Sequence, residues 1–277
     1  MRVDPLLGRL CGRGANVPPL TLVVAAHPDD ETIGAGGLLG SIAEVCWLVH
    51  VTDGAPSNKR FFPPSASGLS RSAYARLRHE ELVRALALVG IDPSRLSNLG
   101  VRDQEATFAM VSIADALGEL LAKLDPEIVL THAYEGGHPD HDATAYGVHA
   151  ATERRRREGR STPLIVEMTG YHDEGGTTVR GEFLCSTERP EAAFQMTDED
   201  IRRKKAMFAA FASQREVLSQ FTCQRELFRV APAYDFGLPP HDGRLHYERF
   251  DFGLAAATWR ACARAATKKL AAQGGSR

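Results

Sequence analysis

The sequence predicts a Rossmann-like α/β fold: a doubly wound, mainly parallel sheet with helices on both faces and an irregular C-terminal extension. Three observations carry the prediction. Short continuous apolar runs at residues 21–26 and 126–131 have the character of strands buried on both faces. Longer stretches with helical spacing of apolar residues lie between such runs, and strands alternating with helices wind a parallel sheet. Two polar His/Asp motifs, AHPDDE at 26–31 and GHPDH at 137–141, directly follow or lie a few residues beyond the two runs. In an open α/β sheet, ligands bind at the carboxyl ends of strands.

Each element has its own signal. Residues 1–18 carry Gly and Pro without periodicity and read as a loose N-terminal arm, with residues 19–277 as one domain. The glycines at 34, 36 and 37 open a helix reaching about Ala43, and they suit close helix–strand packing. They lack the GxGxxG spacing and the lysine of a phosphate loop. Residues 44–52 are β-rich. Residues 53–68 hold Pro56, Pro63 and Pro64 and read as a loop, whose Phe61 and Phe62 either cover a site or pack beneath it. Residues 70–88 form a helix ended by Gly90, 95–100 a strand, and 108–124 an amphipathic helix. Residues 142–157 are helical and 163–169 a strand. The arginines at 154–157 suit the helix C-terminus. Beyond residue 170 the pattern weakens. Residues 177–186 read as a strand or part of a hairpin, 198–219 as one or two helices, and 255–272 as a terminal helix. Residues 231–248 are an irregular segment whose Tyr234, Phe236 and His241 either form a lid or pack on the domain.

Composition narrows the function. Apolar residues make up 43% of 277, enough for a sizeable core, and the formal charge of −2 argues against a dedicated nucleic-acid binder. No apolar run approaches the roughly 18 residues of a membrane span, and residues 1–18 lack the apolar stretch of a secretory signal. Cys11, Cys46, Cys185, Cys223 and Cys262 are scattered and odd in number, a pattern of reduced cytoplasmic thiols. A cytoplasmic location is therefore expected, with no membrane span and homo-oligomerisation left open.

The two motifs supply imidazoles beside carboxylates, the donor set of a catalytic zinc. On a tight turn, His27 and Asp30 face one point, with His141 as third ligand. That leaves a position open for water, whose proton Asp29 can take. His138 would lie beside this set, able to donate to an oxyanion or a leaving amine. Asp140 could fix the tautomer of one imidazole.

The pairing of AHPDDE with GHPDH resembles the signature of the PIG-L/LmbE-like zinc N-deacetylases, over residues 20–170 and more weakly to about 225. The resemblance implies metal ligands at His27, Asp30 and His141, and a general base at Asp29. It also implies an oxyanion or amine partner at His138, tuned by Asp140. It suggests substrate contacts at Asp53, Arg78 of an Arg78–Glu81 helix pattern, and Asp103. Several members carry an aromatic residue where this chain has Gly136, and Tyr134 is the nearby substitute. The implied cofactor is Zn2+, with Fe2+ as the alternative ion in the cell. The implied activity is removal of an N-acetyl group from an N-acetylglucosamine-type small-molecule conjugate. The rivals are a zinc amidase cleaving a larger acyl group from a thiol conjugate or antibiotic-like amide, and a metal-dependent binding protein without turnover. A dinucleotide oxidoreductase is disfavoured by the missing fingerprint.

Overall fold

The computed structural model describes residues 3–12, 17–184 and 190–274. Cys185, the end of the 177–186 stretch and part of the expected arm lie outside these. The helices are α1 (Pro5–Cys11), α2 (Asp30–Ile42), α3 (Arg71–Ala87), α4 (Met110–Leu124), α5 (Pro139–Arg157), α6 (Asp198–Ala210), α7 (Arg215–Leu218) and α8 (Ala256–Gly274). The strands are β1 (Thr21–Ala25), β2 (Cys46–Pro56), β3 (Leu96–Asp103), β4 (Ile128–His132), β5 (Leu164–Met168), β6 (Tyr171–Glu174), β7 (Thr177–Arg180), β8 (Glu191–Ala193) and β9 (Leu227–Val230).

The main sheet runs β3-β2-β1-β4-β5-β9-β8. Its first five strands are parallel, and β9 and β8 add an antiparallel edge. The period-2 alternation of each strand sends successive side chains to opposite faces. Val23 and Ala25 of β1 face a core with α1, α2, α3 and α6. Leu22 and Val24 face the other core, with α4, α5 and α8. The strand order reverses between β1 and β4, which places a crevice at their carboxyl ends.

Several expectations needed correction. The stretch expected as a loose arm contains α1, whose Leu7 and Leu10 are fully buried. Asp4 caps it and Pro5 opens it, a start signal that the surrounding Gly and Pro residues masked. Helix α5 begins at Pro139 rather than Asp142, because His138 is its N-cap and Pro139 suits the first helical position. Helix α2 likewise starts at Asp30, ahead of the glycines. Those glycines do serve close packing: a Cβ on Gly34 would meet the Met168 sulfur of β5 at 2.5 Å. Strands β8 and β9 fell outside the expectations because three or four residues are too short to show a period. Arg229 of β9 fixes this edge through Glu167 of β5 at 2.7 Å and Glu135 at 3.0 Å, so the buried charges are paired.

Another buried pair props α2 from outside. Glu226 accepts from Gly37 N–H at 2.6 Å, Leu38 N–H at 3.0 Å and Lys204 Nζ at 2.8 Å, while Lys204 also donates to the Ile33 carbonyl at 2.7 Å. Both side chains are fully buried. Lys204→Met strands the Glu226 carboxylate and should cost about 3–5 kcal/mol in urea unfolding. Adding Glu226→Gln to that variant should recover part of the loss. A midpoint for Lys204→Met equal to that of the unmodified protein would show that the pair is not holding α2.

Candidate metal centre

The crevice gathers polar side chains from the ends of four elements. After β1 the chain turns through Ala26–Asp29 and enters α2, so Asp30 sits in the first helical turn beside His27. The Asp30 carboxylate lies 3.1 Å from His27 Nδ1 and 3.2 Å from His141 Nε2. One oxygen also accepts the His27 N–H at 2.8 Å, which closes the turn. The second motif arrives on the first turn of α5, beyond β4. Three overlapping donor sets result: His27, His138 and His141; Asp30, His132 and His141; and His27, Asp103 and Asp140.

His27 Nε2 faces Asp140 at 3.2 Å and Asp103 at 3.2 Å. Burial alone would lower its pKa, but the Asp103, Asp140 and Asp30 carboxylates outweigh it and hold it well above the ordinary imidazole range. Asp140 is itself fixed by the backbone N–H groups of Gln104 at 2.6 Å and Ala106 at 3.1 Å. Its carboxylate therefore orients His27, and only its backbone N–H reaches His138, donating to Nδ1 at 3.2 Å. That bond leaves the His138 proton on Nε2. Burial, then His27 and His141, keep His138 well below its usual pKa, so the ring is neutral.

His132, at the end of β4, has no role in the sequence reading. Its Nε2 accepts the Ala26 N–H at 2.9 Å, which occupies the lone pair. The ring stacks on His141 at 4.1 Å and 16°, and burial keeps its pKa well below the usual range. It is a plate that orients His141. The signal available was its place as the last residue of an apolar strand, which any structural histidine could share.

Asp29 has φ +142°, a region that side-chain-bearing residues rarely adopt. Its N–H donates to Glu31 at 3.0 Å, and Glu31 is held by His50 at 2.9 Å and the Thr32 hydroxyl at 2.5 Å. Its carboxylate accepts from Arg78 at 3.1 Å. Arg78 also donates to the carbonyls of Pro28 at 2.6 Å and Gly54 at 3.2 Å, so it clamps the whole turn from α3. Burial, opposed by Arg78 and reinforced by Asp30, pushes the Asp29 carboxyl up to about 8. A nearby divalent cation pulls the other way.

The remaining expected residues divide. Asp103 reaches the cluster; burial works against its ionisation, but His27 holds it down at about 2. Asp53 is engaged by Arg71 at 2.6 Å. Glu81 does not pair with Arg78 but accepts from the Ser213 backbone and hydroxyl at 2.8 and 2.5 Å. Tyr134 donates its hydroxyl to the Leu238 carbonyl at 2.8 Å and packs among Tyr234, Phe236 and Trp259. Those aromatics fill the domain rather than covering the crevice. Gly136 sits at φ +70°, where an aromatic residue would be strained. A Cβ on Gly137 would lie 2.0 Å from the Tyr171 carbonyl oxygen. This close approach brings Tyr171 beside His141, with ring centroids 5.4 Å apart. Of the two loop phenylalanines, Phe62 is buried on Tyr74 and Phe61 stands at the rim.

Comparisons with known proteins place the chain in a family. Residues 22–152 match the family model described as PIG-L, GlcNAc-PI de-N-acetylase. A 1D-myo-inositol 2-acetamido-2-deoxy-alpha-D-glucopyranoside deacetylase of Corynebacterium diphtheriae is 30% identical over 225 residues, covering 70% of this chain and 75% of that protein. This chain belongs to the PIG-L/LmbE-like deacetylase family. A probable N-acetyl-alpha-D-glucosaminyl L-malate deacetylase 2 of Bacillus subtilis is 29% identical over 55% of this chain and 69% of its own length. Among solved structures, a deacetylase of teicoplanin biosynthesis shares the fold, with a TM-score of 0.57 at 17% identity over 78% of this chain and 99% of that one.

The donor chemistry fits a divalent ion. Asp29, Asp30, Asp103 and Asp140 converge with His27, His138 and His141, faced by the Arg78 guanidinium, and such a surplus of buried carboxylate favours a cation. Metal analysis should find about one ion per chain, lost in Asp30→Ala and His141→Ala but kept in His132→Gln. Loss from His132→Gln as complete as from His141→Ala would make His132 a ligand.

Proposed function

We propose that this chain hydrolyses the N-acetyl group of an N-acetylglucosamine-type small-molecule conjugate, giving acetate and a free amine. The observation that carries the reading is the placement of Asp29, strained, clamped by Arg78 and within electrostatic reach of Asp30 and His27. Pure metal binding needs no such base. His27, Asp30 and His141 would hold the ion, and Zn2+ suits their mixed nitrogen and oxygen donors. The ion would supply Lewis acidity toward the amide carbonyl and the attacking water.

The chain's own residues account for the proton movements. Asp29 accepts a proton from water as its oxygen attacks the carbonyl carbon. Arg78 holds the Asp29 carboxylate in place without taking its proton. His138, neutral and protonated on Nε2, donates a hydrogen bond to the developing oxyanion. The C–N bond breaks as the proton on Asp29 passes to the nitrogen. Asp140 keeps His27 oriented throughout, a carboxylate behind a ligand imidazole.

No helix among the described residues is long and apolar enough to cross a membrane. Cys11, Cys46, Cys223 and Cys262 are free thiols. The reading of a cytoplasmic location rests on the scattered, odd-numbered cysteines of the sequence. The test is release of acetate and amine from a panel of N-acetylglucosaminides by metal-analysed protein. Asp29→Asn should lower turnover by about 10²–10⁴-fold with its metal content unchanged. Near-normal turnover in that variant would remove Asp29 from the chemistry.

A further inference from the structure

The donor cluster is bordered by a continuous arc of rings. Tyr171 lies 5.4 Å from His141, His246 4.9 Å from Tyr171, and Phe250 5.1 Å from His246. Phe252 stacks on Phe250 at 5.5 Å and 23°, and closes the arc 5.2 Å from His138. Phe61, from the opposite loop, meets Phe252 at 5.3 Å. Phe250 is 49% exposed. A lone exposed phenylalanine needs no explanation. A stacked pair, with Phe61 tilted against its inner ring, leading outward from His138 is an apolar surface continuous with the site.

The charges beside the arc are already engaged. Arg60 bonds Asp251, the residue between the two stacked phenylalanines, at 2.9 Å and lies over the Phe61 ring at 4.6 Å. Arg249 is paired with Asp173, and Arg244 donates to the Glu248 carbonyl. An anionic substituent would have to displace one of these partners, whereas a neutral ring would meet the exposed part of Phe250 without displacing any.

We infer that Phe61, Phe250 and Phe252 form a subsite for an aromatic or other apolar aglycone on the conjugate, with Phe250 as its outer plate. The inference rests on the deacetylase reading of the adjoining cluster. Rings stack on such faces in offset or edge-on geometry. The polar sugar would lie over the histidines and the aglycone along the phenylalanines. Binding energy gained at the aglycone, remote from the reacting atoms, would then position the acetamide for attack.

The test compares amine release by the holoprotein from phenyl, methyl and 1-phospho N-acetylglucosaminides. The phenyl glycoside should be preferred over the methyl by about tenfold in kcat/KM, mostly through KM, with the phosphate poorest. Phe250→Ala should bring the phenyl-to-methyl ratio close to one, Phe250→Tyr should keep it, and Leu88→Ala, just past the C-terminus of α3, should not move it. Equal use of the phenyl and methyl compounds, preference for the phosphate, or a ratio unmoved by Phe250→Ala would overturn the subsite. Calorimetry of phenyl N-acetylglucosaminide with holo Asp29→Asn separates the two readings. Binding weakened about tenfold by Phe250→Ala, with no turnover of any compound by the unmodified enzyme, would leave the subsite standing and remove the deacetylase. Turnover with no Phe250-dependent binding would do the reverse.

Discussion

The carboxylate of Asp30 is the constraint on which the site depends. It stands on the first turn of α2 and touches His27 from the preceding turn and His141 from α5. It thereby ties the carboxyl end of β1 to the segment that follows β4, across the point where the strand order reverses. Without a cation, this contact is a buried carboxylate shared by two imidazoles. In the proposed holoprotein the same three side chains would be the donors around a common centre. The fold brings the two strand ends together by sheet pairing alone, since Thr21, Leu22 and Val23 are in register with Ile128, Val129 and Leu130. Asp30 converts that proximity into a site.

A second set of contacts holds the carboxylate proposed as the base. Asp29 occupies a backbone conformation that costs of order 1–3 kcal/mol. The surroundings over-determine it: Glu31 and His50 from below, and Arg78 from α3. Arg78 bonds both the side chain of Asp29 and the carbonyl just before it, so side chain and backbone cannot relax separately. Asp140 plays the matching part for His27, through two backbone N–H groups from the segment after β3. Four strand ends thus contribute, yet only two of them carry a recognisable motif.

That division explains what was legible in the sequence. HPDD and HPDH could be read because each packs several donors into four residues beyond an apolar run, and the parallel sheet followed from the alternation of those runs with helices. His132 and Tyr171 could not be read, because each is a single residue in an ordinary strand, brought to the site by pairing with distant segments. Glu31 was visible in the motif, but its partner His50 lies on another strand. The residues alone left open which imidazole Asp140 meets, and the family resemblance pointed to His138; helix α5 turns the carboxylate toward His27. Tyr134 was expected near the reaction, but its hydroxyl is drawn to Leu238 and its ring into an aromatic core. Helix α1 and strands β8 and β9 escaped because they are too short for periodicity to speak.

The most direct measurement is anomalous diffraction at the zinc edge from crystals of the holoprotein. One peak is expected, bounded by His27 Nδ1, the Asp30 carboxylate and His141 Nε2, with His132 still bonded to the Ala26 N–H and Asp140 still on His27. A peak ligated by His132, or one lying between Asp103 and Asp140, would contradict that ligand set.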